Sequence, residues 1–205
     1  MRRHAVALFA LVLAASTAHG AQARQGCPTL TDDKGDTGAL GFHVPSDASD
    51  LTSVDVSTSR TMLTASLTVV GQPVNNEPGM SRIYDVYFET GENDYVLRGT
   101  LGNGESLFQL VSHSLVADTG LGTTADHWQS GKAIQGHVHG HTVTINAPLD
   151  RDLPLLGHRV QVSAEAWIAA ANDISVAGTR SPDGVAVGVD GTEARAFRVG
   201  DRGCA

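Results

Sequence analysis

Basic charge is scarce in this chain. Its 205 residues hold 14 Lys and Arg against 22 Asp and Glu, a formal net charge of −8, and Lys34 and Lys132 are the only lysines. With no basic patch to neutralise phosphates, nucleic acid is excluded as a partner class. Aromatic residues are only 5% of the chain and cysteine is limited to Cys27 and Cys204. Long apolar runs are also missing. The one that exists, Ala5 to Ala15, falls short of the roughly 20 residues a membrane-spanning helix needs, so no stable membrane insertion is expected. Enzyme signatures are missing too. No Gly-x-Ser-x-Gly occurs, because Gly104-Glu105-Ser106-Leu107-Phe108 fails at its last position. There is no His-Glu-x-x-His, no phosphate-cradling loop and no dinucleotide fingerprint. What remains is 41% hydrophobic, enough for a core, and the length suits one domain.

The opening reads as an address. Arg2 and Arg3 give a positive start, the apolar run follows, and Ala21-Gln22-Ala23 is a small-x-small cleavage site, with Ala18-His19-Gly20 as a second option. This is the pattern of a secretory signal peptide over 1–23, which predicts a secreted protein. Cleavage removes two arginines and no acid, so the mature chain is more acidic still. In an oxidising compartment Cys27 and Cys204 are read first as a disulfide. The alternatives are two free thiols or a two-ligand metal site. The bridge would close a loop of about 177 residues, worth roughly 5 kcal/mol in the chain-entropy model.

The body reads as strands. Thr61 to Val69 alternates, with Leu63, Ala65, Leu67 and Val69 on one face and hydroxyls on the other. Leu51 to Val56 is a shorter strand before it. Tyr84 to Glu89 turns Tyr84, Val86 and Phe88 inward and Asp85, Tyr87 and Glu89 outward. Tyr95 to Thr100 follows the turn Gly91 to Asp94, and Leu107 to Val111 is another candidate. Val160, Val162, Ala164, Ala166 and Ile168 mark a late strand whose other face carries Gln161, Ser163, Glu165 and Trp167. Ala164 to Ala171 alone is ambiguous with helix. Short strands separated by Gly, Asn and Asp predict an all-β antiparallel two-sheet sandwich. One domain over 24–205 is expected, with its core at about 31–170 and the segment 171–205 tied back by the disulfide. One hairpin can be registered. With Gly140-His141 as a type II′ turn, His139 faces Thr142, Val138 faces Val143, Gly136 faces Ile145 and Ile134 faces Ala147. A one-residue slip would turn Val143 and Ile145 outward.

Several stretches carry a resemblance. They are Thr31-Asp32-Asp33-Lys34-Gly35-Asp36, Asp50 to Thr58 with the Leu-Thr-Ala-Ser-Leu-Thr-Val-Val run, Tyr84 to Phe88 paired with Tyr95 to Arg98, and His141 to Leu149. In this order they resemble the DOMON-like and family-9 carbohydrate-binding-module-like domains of secreted bacterial proteins, over roughly 31–170. The resemblance implies an immunoglobulin-like or DOMON-like sandwich. It also implies an extracellular module that binds sugar or haem, or that accompanies a secreted enzyme. Some DOMON domains hold haem between Met and His, for which Met80 and His158 are the candidates here.

Three clusters carry candidate chemistry. His137-Val138-His139-Gly140-His141 puts His137 and His139 on one outward face about 6.6 Å apart. Two imidazoles at that spacing can share Zn²⁺, Cu²⁺ or Ni²⁺, with His141 as a third ligand. The same residues also suit a plain hairpin shoulder and turn. Asp32, Asp33 and Asp36 around Gly35 suit a hard cation such as Ca²⁺, with Asp183, Asp190 or Asp201 completing the shell. The alternative is a solvated acidic turn. Trp167 beside Glu165, and Trp128 in the Gly-rich stretch Asp118 to Gly131, suit a ring-stacking sugar platform. The alternative for Trp167 is packing under a loop or the tail.

The resulting expectation is a secreted, non-enzymatic binding or accessory module for a carbohydrate, cell-surface or secreted-protein partner. The alternative is a metal- or haem-dependent redox or hydrolytic protein on the same sandwich.

Overall fold

The computed structural model describes residues 27–35, 47–73, 80–91, 93–102, 104–117, 124–128, 131–169 and 186–201. Thirteen strands form, and no helix among these residues: β1 (Thr29–Thr31), β2 (Leu51–Thr58), β3 (Met62–Val69), β4 (Ser81–Glu89), β5 (Asn93–Gly102), β6 (Glu105–Ala117), β7 (Thr124–Trp128), β8 (Lys132–Ala133), β9 (Gln135–His139), β10 (Thr142–Pro148), β11 (Arg159–Ala169), β12 (Ala186–Gly191) and β13 (Arg195–Arg198).

They form two antiparallel sheets. The smaller runs β1-β2-β3-β10-β9, and the larger runs β12-β11-β4-β5-β6-β7, with β13 also on β11 and β8 also on β6. Alternation explains why the sheets face each other. Leu63, Ala65, Leu67 and Val69 of β3, with Val143, Ile145 and Ala147 of β10, are buried against Tyr84, Val86 and Phe88 of β4 and Val160, Val162, Ala164 and Ala166 of β11 in one core. Each large side chain of this set contributes about 1.5–3 kcal/mol by leaving water. Phe108 of β6 lies over two glycines, with its ring carbons 3.1 Å from a Cβ built on Gly99 and 2.3 Å from one on Gly136. Only a bare backbone lets the ring settle there.

The register of the β9–β10 hairpin is the expected one. His139 pairs with Thr142, Val138 with Val143, and Gly136 with Ile145. Gly140 takes φ 58, the sign the first residue of a primed turn requires. The expected pairing of Ile134 with Ala147 does not form. Ile134 instead donates its N–H to the Phe108 carbonyl, as the chain passes from β8 in the large sheet to β9 in the small one.

The ambiguous stretch after Ala164 continues as β11 through Ala169. Strands β12 and β13 then return to the free edge of β11, at Glu165 to Ala169 and at Arg159 to Val162. Part of the expected tail is therefore sheet. The connection from β10 to β11 buries Leu153 and Leu155 in the core. Outside it, Lys132 pairs with Asp150 and Asp152.

Candidate functional site

The outer face of the smaller sheet is polar across its whole width. The pairings give one row of Thr29, Asp55, Ser66, Thr144 and His137, and a second of Thr31, Ser53, Thr68, Thr142 and His139. A third, shorter row holds Ser57, Thr64, Asn146 and Gln135. Each side chain sits there because its neighbours in sequence, such as Leu67 and Val143, are buried. Along a row the groups fall at the strand spacing of about 4.8 Å. Thr64 donates to Asn146 Oδ1 at 2.8 Å, Thr29 donates to Asp55 Oδ1 at 2.6 Å, and the Ser66 and Thr144 hydroxyls stand 3.4 Å apart. Asp55 is the only acid in the three rows.

His137, His139 and His141 are all exposed. His137 and His139 share the outward face of β9, as expected, but His141 does not join them in a three-ligand site. Its Nδ1 is 3.0 Å from the Gly71 carbonyl oxygen, which ties it to the chain leaving β3. Among the described residues no three His, Cys, Asp or Glu side chains are grouped to hold a metal ion.

The acidic candidates divide. Asp36 and Asp183 lie outside the described residues. Asp33 is exposed, while Asp32 is half-buried and pairs its N–H with the Thr52 carbonyl. Asp190 is buried and accepts from Leu51 N–H at 2.6 Å, so it stands at this end of β2. Asp201 does not: its neighbour Gly200 donates to Thr58 Oγ1 at the other end of β2, about 25 Å away at strand rise. The residue the sequence pattern did not single out is Asp50. It is 5% exposed and accepts Gly35 N–H at 2.8 Å.

The tryptophan candidates are corrected. Trp128 ends strand β7, opposite His113, and is not in a loop. Trp167 lies on the outward side of β11 with Glu165, but it is only 5% exposed and offers no open ring to a sugar. Its Nε1–H reaches Asp85 Oδ2 at 3.3 Å, and the Arg98 guanidinium stands 5.6 Å from its ring centre. Arg98 grips Asp85 through two hydrogen bonds of 2.8 and 2.7 Å. The Tyr87 hydroxyl lies 2.9 Å from Glu165 Oε2 and 3.3 Å from Asp85 Oδ2. Burial pushes the Tyr87 phenol far up, and the two carboxylates push it further. Burial opposes the charge on Arg98, but Asp85 more than offsets this and raises it. The signal for this pair was present: a turn that sets Glu89 opposite Asp94 also sets Asp85 opposite Arg98.

The haem candidates are too far apart. Met80 precedes Ser81, which pairs with Ala169, whereas His158 precedes Arg159 at the opposite end of β11. That separation is about 35 Å at strand rise, so the two cannot ligate one iron. Comparison with known proteins yields no matching family model, no matching curated protein and no matching solved structure.

Proposed function

We propose that the chain is an exported extracellular binding or accessory module, and that it recognises a carbohydrate on the outer face of the smaller sheet. The observation that carries this reading is the set of three rows of hydroxyl, amide and imidazole groups, with a single acid among them, in a chain of net charge −8. A Ser or Thr hydroxyl both donates and accepts, as a sugar hydroxyl does, so the two surfaces can exchange hydrogen bonds in either sense. The signal-like opening over 1–23 and the likeness to DOMON-like and family-9 carbohydrate-binding-module-like domains support the same reading.

A Cys27–Cys204 bridge is part of the proposal. Cys204 lies outside the described residues, and no free cysteine stands among them. Pro28, next to Cys27, accepts from Val56 N–H, and Gly200, four residues before Cys204, donates to Thr58 Oγ1, so Pro28 and Gly200 meet the same end of β2.

The test is retention of the purified secreted protein on insoluble polysaccharides and on a glycan array. Retention by at least one class of neutral glycan, lost on Thr144→Lys, is the expected result. Retention by none, or retention unchanged in Thr144→Lys, contradicts the proposal.

A further inference from the structure

Asp32, just after β1, and Asp50, just before β2, each hold a carboxylate oxygen whose burial is not balanced by a hydrogen bond. Asp50 is 5% exposed, and only its Oδ2 is used, by Gly35 N–H. Its Oδ1 is buried and finds no hydrogen-bond partner among the described residues, and the same holds for Oδ2 of Asp32. The two residues belong to one small unit. Asp32 is pinned to Thr52 through its main chain, and Gly35, three residues on, is pinned to the Asp50 side chain. Gly35 takes φ 83, which lets the chain turn back toward Asp50.

A carboxylate oxygen removed from water without a donor is costly unless a cation or proton meets it. No basic group among the described residues is paired with either oxygen: Lys34, in the same turn, is exposed. Arg82 is buried, but its Nη1 is directed to Ser49 Oγ at 3.3 Å. No ion pair joins it to Asp32 or Asp50 among the described residues. Asp190, at the same end of β2, already accepts Leu51 and Gly191 N–H groups.

We propose that Asp32 Oδ2 and Asp50 Oδ1 bind one Ca²⁺ ion between the Asp32–Gly35 turn and the entry to β2. Two carboxylates match its charge. Ca²⁺ takes six to eight oxygens in flexible geometry, so main-chain carbonyls and water fill the remaining positions without a third acid. Mg²⁺ demands a tighter octahedron and sheds water reluctantly, which sets it below Ca²⁺ here. The ion would clamp the segment carrying β1 to the start of β2. This site is separate from the proposed glycan face, and its test reads Ca²⁺ alone.

The experiment is calorimetric titration of chelator-treated full-length secreted protein with CaCl2, together with thermal unfolding in CaCl2, MgCl2 and EDTA. One Ca²⁺ per chain is expected, with Kd of about 0.1–1 mM, the range of extracellular modules. The unfolding midpoint should rise by about 3 °C at a Ca²⁺ concentration ten times Kd, and by less in MgCl2. Asp50→Asn and Asp32→Asn should each weaken binding at least tenfold, and His137→Ala/His139→Ala should leave it unchanged. If Asp50→Asn does not fold, Asp32→Asn, a half-buried turn residue, carries the test, with its strand-type circular dichroism as the check on folding. No Ca²⁺ heat, a midpoint rise that survives Asp32→Asn, loss of binding in the histidine variant, or an equal response to Mg²⁺ would each overturn the assignment.

Discussion

Asp85 is a carboxylate removed from water and held by three N–H donors, two from Arg98 and one from Trp167, with the Tyr87 hydroxyl 3.3 Å away and donating to Glu165. Replacing it with a hydrophobe alone would leave the Arg98 guanidinium buried and unpaired. Asp85→Ala is therefore expected to cost about 3–5 kcal/mol in denaturant unfolding. Asp85→Leu with Arg98→Met should recover most of that loss, because it removes both charges. A loss under about 1 kcal/mol for Asp85→Ala would mean the pair is wet. Tyr87 adds a pH signature. Its phenol is raised in the fold, so the folded chain keeps a proton that the unfolded chain releases above about pH 10. The stability linked to this proton is full below that pH and is lost as pH rises further. Tyr87→Phe should flatten the alkaline fall in stability. The burial-raised Tyr84 and Tyr95 phenols still contribute in both proteins. An identical alkaline slope in wild type and variant would contradict this. Alternation alone puts Asp85, Tyr87 and Trp167 on the outward side of the larger sheet, and they are there. It cannot say whether an outward face is wet, and so the ring-stacking role for Trp167 fails. Facing is a local property of the strand, whereas cover comes from elsewhere in the chain.

At the scale of elements, the β9–β10 hairpin was legible because two constraints coincide. A glycine-first turn sets the pairing, and Val143 and Ile145 must point inward. The outward His137 and His139 follow from that register. They should chelate Ni²⁺ weakly, with retention on a nickel column that fades as pH falls to about 5, because protons compete for imidazole. His137→Ala or His139→Ala should abolish retention, while stability changes by no more than about 0.5 kcal/mol. Nickel binding that persists in the double variant would place the metal elsewhere, and unfolding would mean the face is not exposed. Where such constraints are missing, the pattern is silent. The sequence Thr-Ala-Asp-His-Trp of β7 has no apolar alternation, and β12 is interrupted by Gly188. Both are strands because β6 and β11 offer free edges to pair with. Asp50 carries no sequence signal for a similar reason: it stands alone before β2, and its companions Asp32 and Gly35 are brought to it only by the pairing of β1 with β2.

For the whole molecule, the proposed Cys27–Cys204 bridge would close the chain. Thiol titration of the unreduced, unfolded secreted protein should find no free thiol, and two would end the case for a bridge. Function belongs to this scale as well, since the rows on the smaller sheet draw on five strands from both halves of the chain. The most direct test places one lysine on each outer face and reads glycan retention. Ser66 lies at the centre of the polar rows, and Gln161 is exposed on the outward side of β11 in the larger sheet. Both side chains leave the core untouched, so both variants should fold with wild-type circular dichroism. The expected result is that Ser66→Lys loses retention on the glycan that holds the wild type and Gln161→Lys keeps it. Retention that survives Ser66→Lys and is lost in Gln161→Lys would contradict the assignment of the smaller sheet as the binding face.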